Sequence, residues 1–347
     1  MKAWVTVLQI AFTYIGTVVG AGFATGQEIL QFFSRYGWMA TLTIGVAGIL
    51  FVWLGTRVML LAHKLQAESY EDLNRYLFGH KLGQAFSWFS LVVLFGINAV
   101  MLAGAGSVFH QHFNLPYQYG LLLTLVLAYL VITGGLKALM AVNSFVVPMM
   151  FIFSALMVTA TFYSPNAGNW FTLTSDYNPV RIWTAPLLYV AFNLATAQAV
   201  LVPLGAATKN PLHLKRGGWI GGIGITLMLL GGHFALSSQM PGIAQFEIPM
   251  THLIARLGHG VQLAFVAVIF GEIFTTLIAN VYGLTLQLQQ RSRIGYNTLV
   301  LAILMSSFLV SQIGFSTLLT TLYPLFGMVS MLWFVRMIRP SGRLPFI

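Results

Sequence analysis

Two of the chain's seven acidic residues, Glu28 and Glu272, fall inside long apolar stretches beside residues able to bind a cation or a polar solute. Around the second the sequence reads Phe270-Gly-Glu272-Ile-Phe274-Thr275-Thr276-Leu-Ile-Ala-Asn280. Glu272 and the two threonines are three and four residues apart, which is one face of a helix. A carboxyl group deep in an apolar helix requires a cation, a proton or a polar cavity. Sodium, a hard cation, prefers a cage of oxygens, and threonine hydroxyls beside the freed carbonyls of a broken helix would supply one. The simpler alternative has the threonines bonding back to the preceding turn, with Glu272 protonated and hydrogen-bonded. Glu28 closes the run Gly16-Thr-Val-Val-Gly20-Ala21-Gly22-Phe23-Ala-Thr25-Gly26-Gln27-Glu28. Four glycines in eleven residues are poor support for a continuous helix, since each costs about 1 kcal/mol relative to alanine. Close helix packing through small residues is the competing explanation. Glu28 either gates an outer vestibule, pairing with Arg35 or Arg181, or caps a half-helix.

The elements that must hold these groups are membrane spans. The 347 residues are 58% hydrophobic and 7% charged, against about 25% charged in an ordinary soluble domain. Ten segments are long and apolar enough to be spans: 4–33, 38–63, 82–109, 119–135, 139–162, 182–207, 219–236, 261–288, 299–313 and 318–337. The charged stretch 64–81 reads as a short surface helix. With the N-terminus inside, fourteen of the seventeen basic residues lie on the cytoplasmic side, and only Arg35, Arg181 and Arg256 lie outside. Basic residues stay cytoplasmic during insertion, which places both termini inside the cell. The same bias accounts for the net charge of +10 without a nucleic-acid partner. The first apolar run has one lysine before it and no small-residue cleavage site, so it is read as a span and not a signal peptide. The absence of cysteine excludes disulfides and thiolate chemistry.

Ten spans divide into two fives, and an odd number of spans per half forces the second half to be inverted. An offset of 175 residues supports this. It pairs Leu82, Gly83, Val93, Phe95 and Gly96 with Leu257, Gly258, Val268, Phe270 and Gly271, and Tyr14 with Tyr189. One repeat then covers about 1–163 and the other about 176–338, within a single transmembrane domain over 1–347. The sixth span, with Asn193, Thr196, Gln198 and Pro203, is the partner of the first. Proline removes a backbone donor, and paired interruptions in two halves are the best sequence pointer to a transporter's central site. Spans one and six are therefore expected to unwind at mid-membrane. At 1.5 Å per residue, Gly16, Asn193 and Glu272 each lie about 18 Å from a surface, near the midplane.

The run from Gly20 to Glu28, with Phe274-Thr-Thr and Asn280-Val-Tyr-Gly283, resembles the YkvI-like amino-acid permeases of the amino acid–polyamine–organocation superfamily, over essentially the whole chain. The resemblance implies the LeuT fold: all-α, ten spans, a 5+5 inverted repeat and broken first and sixth helices. In sodium-coupled members it implies an ion held by the carbonyls of Gly16, Val19 and Glu272 and the hydroxyls of Thr275 and Thr276. It implies a solute against Gly20, Ala21, Gly22 and Phe23, with Phe192, Asn193 and Thr196 from span six. Glu272 itself departs from the small neutral residue typical there, which leaves proton coupling or direct binding of a substrate amine open. Asn98 in span three faces span one or a neighbouring helix and joins the substrate set. His233, near the outer end of span seven, is either a pocket or an interfacial residue.

These readings converge on a secondary carrier for a small organic solute, an amino acid or a related amine, coupled to sodium or protons, in the plasma membrane. No other cofactor is expected, and no enzyme: Gly20-x-Gly22 follows no strand, and neither a Ser/His/Asp nor a metalloprotease pattern occurs. A membrane ligand sensor with a transporter-like fold and a solute channel are the alternatives.

Overall fold

The protein is described by a computed structural model over residues 2–246, 249–255, 257–313 and 315–338. Arg256, Arg339 and Arg343, which entered the charge count, lie outside the described residues, as does the side chain of Ala21. Among the described residues the chain is helical. The first half comprises α1 (Lys2–Val18), α2 (Ala21–Ala24), α3 (Gln27–Phe32), α4 (Met39–Leu50), a π-helical turn (Phe51–Gly55), α5 (Thr56–Leu65), α6 (Tyr70–Phe78), α7 (His80–Phe113), α8 (Tyr117–Thr133) and α9 (Gly135–Phe162). The short α10 (Asn169–Thr172) leads to the second half. That half comprises α11 (Pro179–Ala207), α12 (Pro211–Ser237), α13 (Pro249–Ala255), α14 (His259–Arg291), α15 (Tyr296–Ser311) and α16 (Phe315–Ile338). Six helices among the described residues are long and apolar enough to cross a membrane, and four shorter apolar ones accompany them.

The distribution of polarity fits lipid as the solvent. Large apolar side chains such as Ile49, Phe145 and Leu309 are exposed, whereas Asn98, Asn143, Gln198 and Gln287 are fully buried. Inside hydrocarbon a backbone must satisfy its own hydrogen bonds, which continuous helices do. Helices α1 and α11 run at the centre: α1 packs on α12 and α9, α11 on α5 and α16, while α7 and α14 pack on each other.

The π-helical turn anchors α1 to span two. The Tyr14 hydroxyl, fully buried, donates to the Phe51 carbonyl at 2.8 Å. Tyr14→Phe would leave that carbonyl without its side-chain donor, at a cost of about 1–3 kcal/mol. A thermal melt in detergent should show the variant a few degrees less stable, and an unchanged midpoint would mean that the bond contributes nothing.

The charged stretch does form a surface helix, α6, and its packing goes further than sequence suggests. Ser69 and Asp72 form a capping box at its start. The Ser69 hydroxyl then donates to Gln290 Oε1 at 2.5 Å, and Gln290 Nε2 donates to Asp72 at 3.1 Å. Glu71, its side chain 2% exposed, bridges Arg75 and Arg291 at 2.6 Å each. Arg291 also stacks over Trp88, 4.4 Å from the ring centre. Burial, with Glu71 adding to it and Arg291 opposing, holds the Tyr70 phenol well above its ordinary pKa, so it stays neutral here. α6 thus clamps the end of α14 to the start of α7. Glu71→Gln keeps the shape and removes the charge that both arginines share. Breaking a fully buried pair costs about 3–5 kcal/mol, and the partial exposure of Arg75 and Arg291 reduces that to roughly 2 kcal/mol. A melting point lowered by several degrees is expected, and one unchanged would contradict the clamp.

Candidate functional site

Span one breaks at Val19–Gly20 and again at Thr25–Gly26. The Val19 amide still bonds to the Ile15 carbonyl (2.7 Å), and α2 starts with the Ala24 amide on the Gly20 carbonyl (3.0 Å). After only four helical residues, Gly26 takes a φ of 86°, a left-handed conformation in which a Cβ would be strained. That turn aims α3, and it folds Glu28 back against α2. A Cβ on Gly22 would collide with Glu28 Oε1 and lie 2.8 Å from Cγ and Cδ, so the absence of a side chain there is what admits the carboxylate. Glu28 is 9% exposed, its Oε2 is buried without a hydrogen-bond partner, and the Tyr189 phenol lies beside it.

A cavity of about 30 Å³ opens at this place. Its wall is Thr17, Val18, Gly20 and Glu28 from the broken span, Ile97 and Met101 from α7, Phe192, Asn193 and Thr196 from α11, and Thr276 and Asn280 from α14. One water needs about 10–15 Å³, so the space suits a water or a small ion, and a larger guest requires the helices to part. Thr276 Oγ1 and Asn280 Nδ2 are buried without partners, as is Glu28 Oε2. Buried polar atoms are normally satisfied, and three that are not surround this one cavity.

The sixth span corrects an expectation. α11 runs unbroken from Pro179 to Ala207, with Pro186 and Pro203 inside it. No glycine lies between Pro179 and Leu204, while Ala191, Ala195, Ala197 and Ala199 are strong helix formers. The polar side chains expected to line an unwound stretch instead bond to their own helix. Asn193 Nδ2 donates to the Tyr189 carbonyl (2.9 Å), and Thr196 to those of Phe192 (3.1 Å) and Asn193 (3.0 Å). Among the described residues, unwinding is confined to span one.

The other expected site residues separate into groups. Gly20, Phe192, Asn193, Thr196, Thr276 and Glu28 meet at the cavity. Gly20 faces Thr276, whose Oγ1 lies 3.1 Å from the position a Cβ would take. Glu272 is fully buried with both oxygens unpartnered, one turn from Thr276, yet it is not on the cavity wall. Thr275 does not face the cavity either: its hydroxyl bonds back to the Glu272 carbonyl at 3.0 Å. Gly16 lies against Asn143, with whose Oδ1 a Cβ would collide, and Val19 is fully buried. Asn98 is buried beside the wall residue Ile97 but lies behind the wall, with both side-chain polar atoms unpartnered. Phe23 turns the other way, into a second cavity of about 40 Å³ shared with Met150, Met157, Met228 and Met250. Glu28 forms no ion pair with Arg35 or Arg181, and Arg181 stacks on Tyr177. Its turn inward, set by Gly26, is the reason. His233 is fully buried, not interfacial, with Nδ1 3.1 Å from Ser34 Oγ and 3.0 Å from Ser237 Oγ. Thr17, Ile97 and Met101 went unrecognised in the sequence, although Thr17 sits one turn before Gly20. Asn280 lies one turn beyond Thr276 on the same helix face.

The same architecture occurs in solved membrane transporters. The chain superimposes on a single-residue variant of the Eremococcus coleocola manganese transporter with a TM-score of 0.63 at 11% identity, covering 95% of this chain and 76% of that one. On MHP1, a nucleobase-cation-symport-1 family transporter solved in a closed conformation with bromovinylhydantoin bound, the TM-score is also 0.63, at 14% identity and with 93% and 77% covered. At such identities the likeness is one of fold. In sequence, the chain is 40% identical over 329 residues to the membrane protein YkvI of Bacillus subtilis (strain 168), covering 93% of this chain and 92% of that one. It belongs to the YkvI family of multi-pass membrane proteins. The Bacillus subtilis (strain 168) protein YyaD is 26% identical over 329 residues, covering 94% and 95%. A family model described as spore germination protein matches residues 4–171.

Proposed function

We propose that the protein is an alternating-access carrier of the amino acid–polyamine–organocation type, moving a small organic solute, an amino acid or a related amine, coupled to sodium or protons. The observation that carries this is the small polar cavity beside the only broken span among the described residues, walled by spans one, three, six and eight. Irregular backbone at membrane depth is tolerated where it lines a cavity. The fold shared with two transporters supports the same reading.

Ten spans in two inverted fives are supported by the packing. Exchanging α1 for α11, α4–α5 for α12, α7 for α14, α8 for α15 and α9 for α16 turns the pairs α1–α12, α1–α9, α7–α8 and α9–α14 into the observed pairs α11–α5, α11–α16, α14–α15 and α7–α16. Surface helices α6 and α13 precede α7 and α14, and Gly79 and Gly258, both with left-handed φ, start those two helices. The pair is 179 residues apart, one helical turn more than the offset read from sequence. A four-residue slip keeps a helix face in place, so apolar residues alone do not expose it. The distribution of basic residues supports cytoplasmic termini and a plasma-membrane location.

For the coupling ion, Thr276 supplies an unpartnered hydroxyl at the cavity, and Glu272 a buried carboxyl one turn away that suits a proton. A thermal-shift screen of purified protein across amino acids and amines, with and without sodium and at two pH values, tests the reading, because a ligand stabilises the state that binds it. At least one solute should raise the melting point, and Asn193→Leu should remove that response. Thr276→Val should abolish any stabilisation by sodium, and a sodium response that survives would reject that residue. No response to any solute would count against a carrier of this class. The spore germination description favours one other reading, a membrane sensor for the same solutes. Proteoliposomes separate the two, since a carrier accumulates labelled solute and a sensor only binds it.

A further inference from the structure

Three places besides the main cavity carry chemistry: the methionine-lined cavity around Phe23, the Ser34–His233–Ser237 cluster, and the α6 clamp. The cavity itself, however, carries an inference that outreaches them, and that inference rests on the cavity being the solute site. We infer that Glu28 is the counter-charge for a cationic solute group, and that the guests admitted together must carry one net positive charge between them.

The Glu28 carboxylate sits on the cavity wall because Gly22 leaves room for it and Gly26 turns α3 toward it. It is 9% exposed and has an unpartnered oxygen, so it is neither a solvated surface acid nor one neutralised by an arginine. The remaining polar wall groups are hydroxyls and carboxamides, and no lysine, arginine or histidine contributes to the wall. A buried charge must be matched to be tolerated.

Charge balance then sorts solutes. A primary ammonium facing Glu28 makes the filled cavity neutral. A zwitterionic amino acid leaves one negative charge and requires a sodium ion or proton to enter with it. A carboxylate without an amine doubles the negative charge and is rejected. Glu272, off the wall, takes no part in contacting the ammonium. Net positive charge is thereby set by one residue of the broken span, and coupling to a second cation becomes a consequence of the solute's own charge.

Three solutes of equal chain length test this: n-propylamine, alanine and propionate, added to the purified full-length protein in detergent, with sodium or with choline in its place. Propylamine should stabilise the wild type in either salt, alanine only with sodium or at lowered pH, and propionate in neither. Glu28→Gln should weaken the propylamine response about ten- to a hundredfold, the worth of a charge-assisted hydrogen bond. Glu28→Asp should keep part of it, which guards against misfolding as the cause. Equal propylamine binding by Glu28→Gln, or stabilisation by propionate, with Asn193→Leu still abolishing binding, overturns the role of Glu28 and leaves the cavity as the solute site. A propylamine response untouched by Asn193→Leu, or no response to any of the three, overturns the cavity reading and this inference with it.

Discussion

Gly22→Ala is expected to reduce solute uptake at least a hundredfold while leaving the protein folded. The added Cβ would collide with Glu28 Oε1 and sit 2.8 Å from two further carboxylate-side atoms, so either the side chain leaves the cavity or α2 shifts. Neither movement is small, because Glu28 is held between α2, the Tyr189 phenol and the cavity wall. Overpacking of this kind costs about 1–3 kcal/mol, so the melting point should fall by several degrees with helical content retained. The double variant Gly22→Ala/Glu28→Ala separates the causes. Removing the carboxylate relieves the collision and should recover most of the lost stability, without restoring uptake. Contacting residues are the ones for which such non-additivity is expected. Additive losses of stability would mean that Gly22 is small for another reason.

Glu272→Leu is expected to do the opposite, raising stability and harming function. Glu272 is fully buried in α14, and neither oxygen has a hydrogen-bond partner. A buried polar group left without a hydrogen-bond partner costs about 1–3 kcal/mol, a cost that an apolar residue of similar size removes. A melting point higher by several degrees, together with uptake that no longer responds to pH, would identify Glu272 as a proton site kept at a cost to stability. A lowered melting point would show that the carboxyl has a partner in the folded protein. Unaltered pH dependence would remove Glu272 from coupling.

These two acids show how far sequence carries. Both were visible as carboxyls inside apolar stretches, and the glycine run pointed to an interruption of span one because four glycines are poor support for a continuous helix. The surface helix α6 was legible from charge density. The direction of Glu28 was not, since it depends on a left-handed turn at Gly26 and on the space at Gly22, and neither has a one-dimensional signature. Span six misled for a related reason. Asn193, Thr196 and two prolines look like interruptions, yet the amide and hydroxyl bond back to their own helix, and four alanines sustain it. Asn98 and Thr275 lie at suitable depth on suitable helices, and small differences in rotation around the helix axis put them off the cavity wall.

The central claim is that the cavity beside the broken span is reached alternately from the two sides of the membrane. The chain contains no cysteine, so Thr196→Cys places a single thiol on the cavity wall with no background. Labelling with a membrane-impermeant thiol reagent, applied in turn to right-side-out and inside-out vesicles, measures access directly. The thiol should react from both sides, and a saturating transported solute should slow both reactions. A thiol that reacts from one side only under every condition, or from neither, would contradict alternating access at this site.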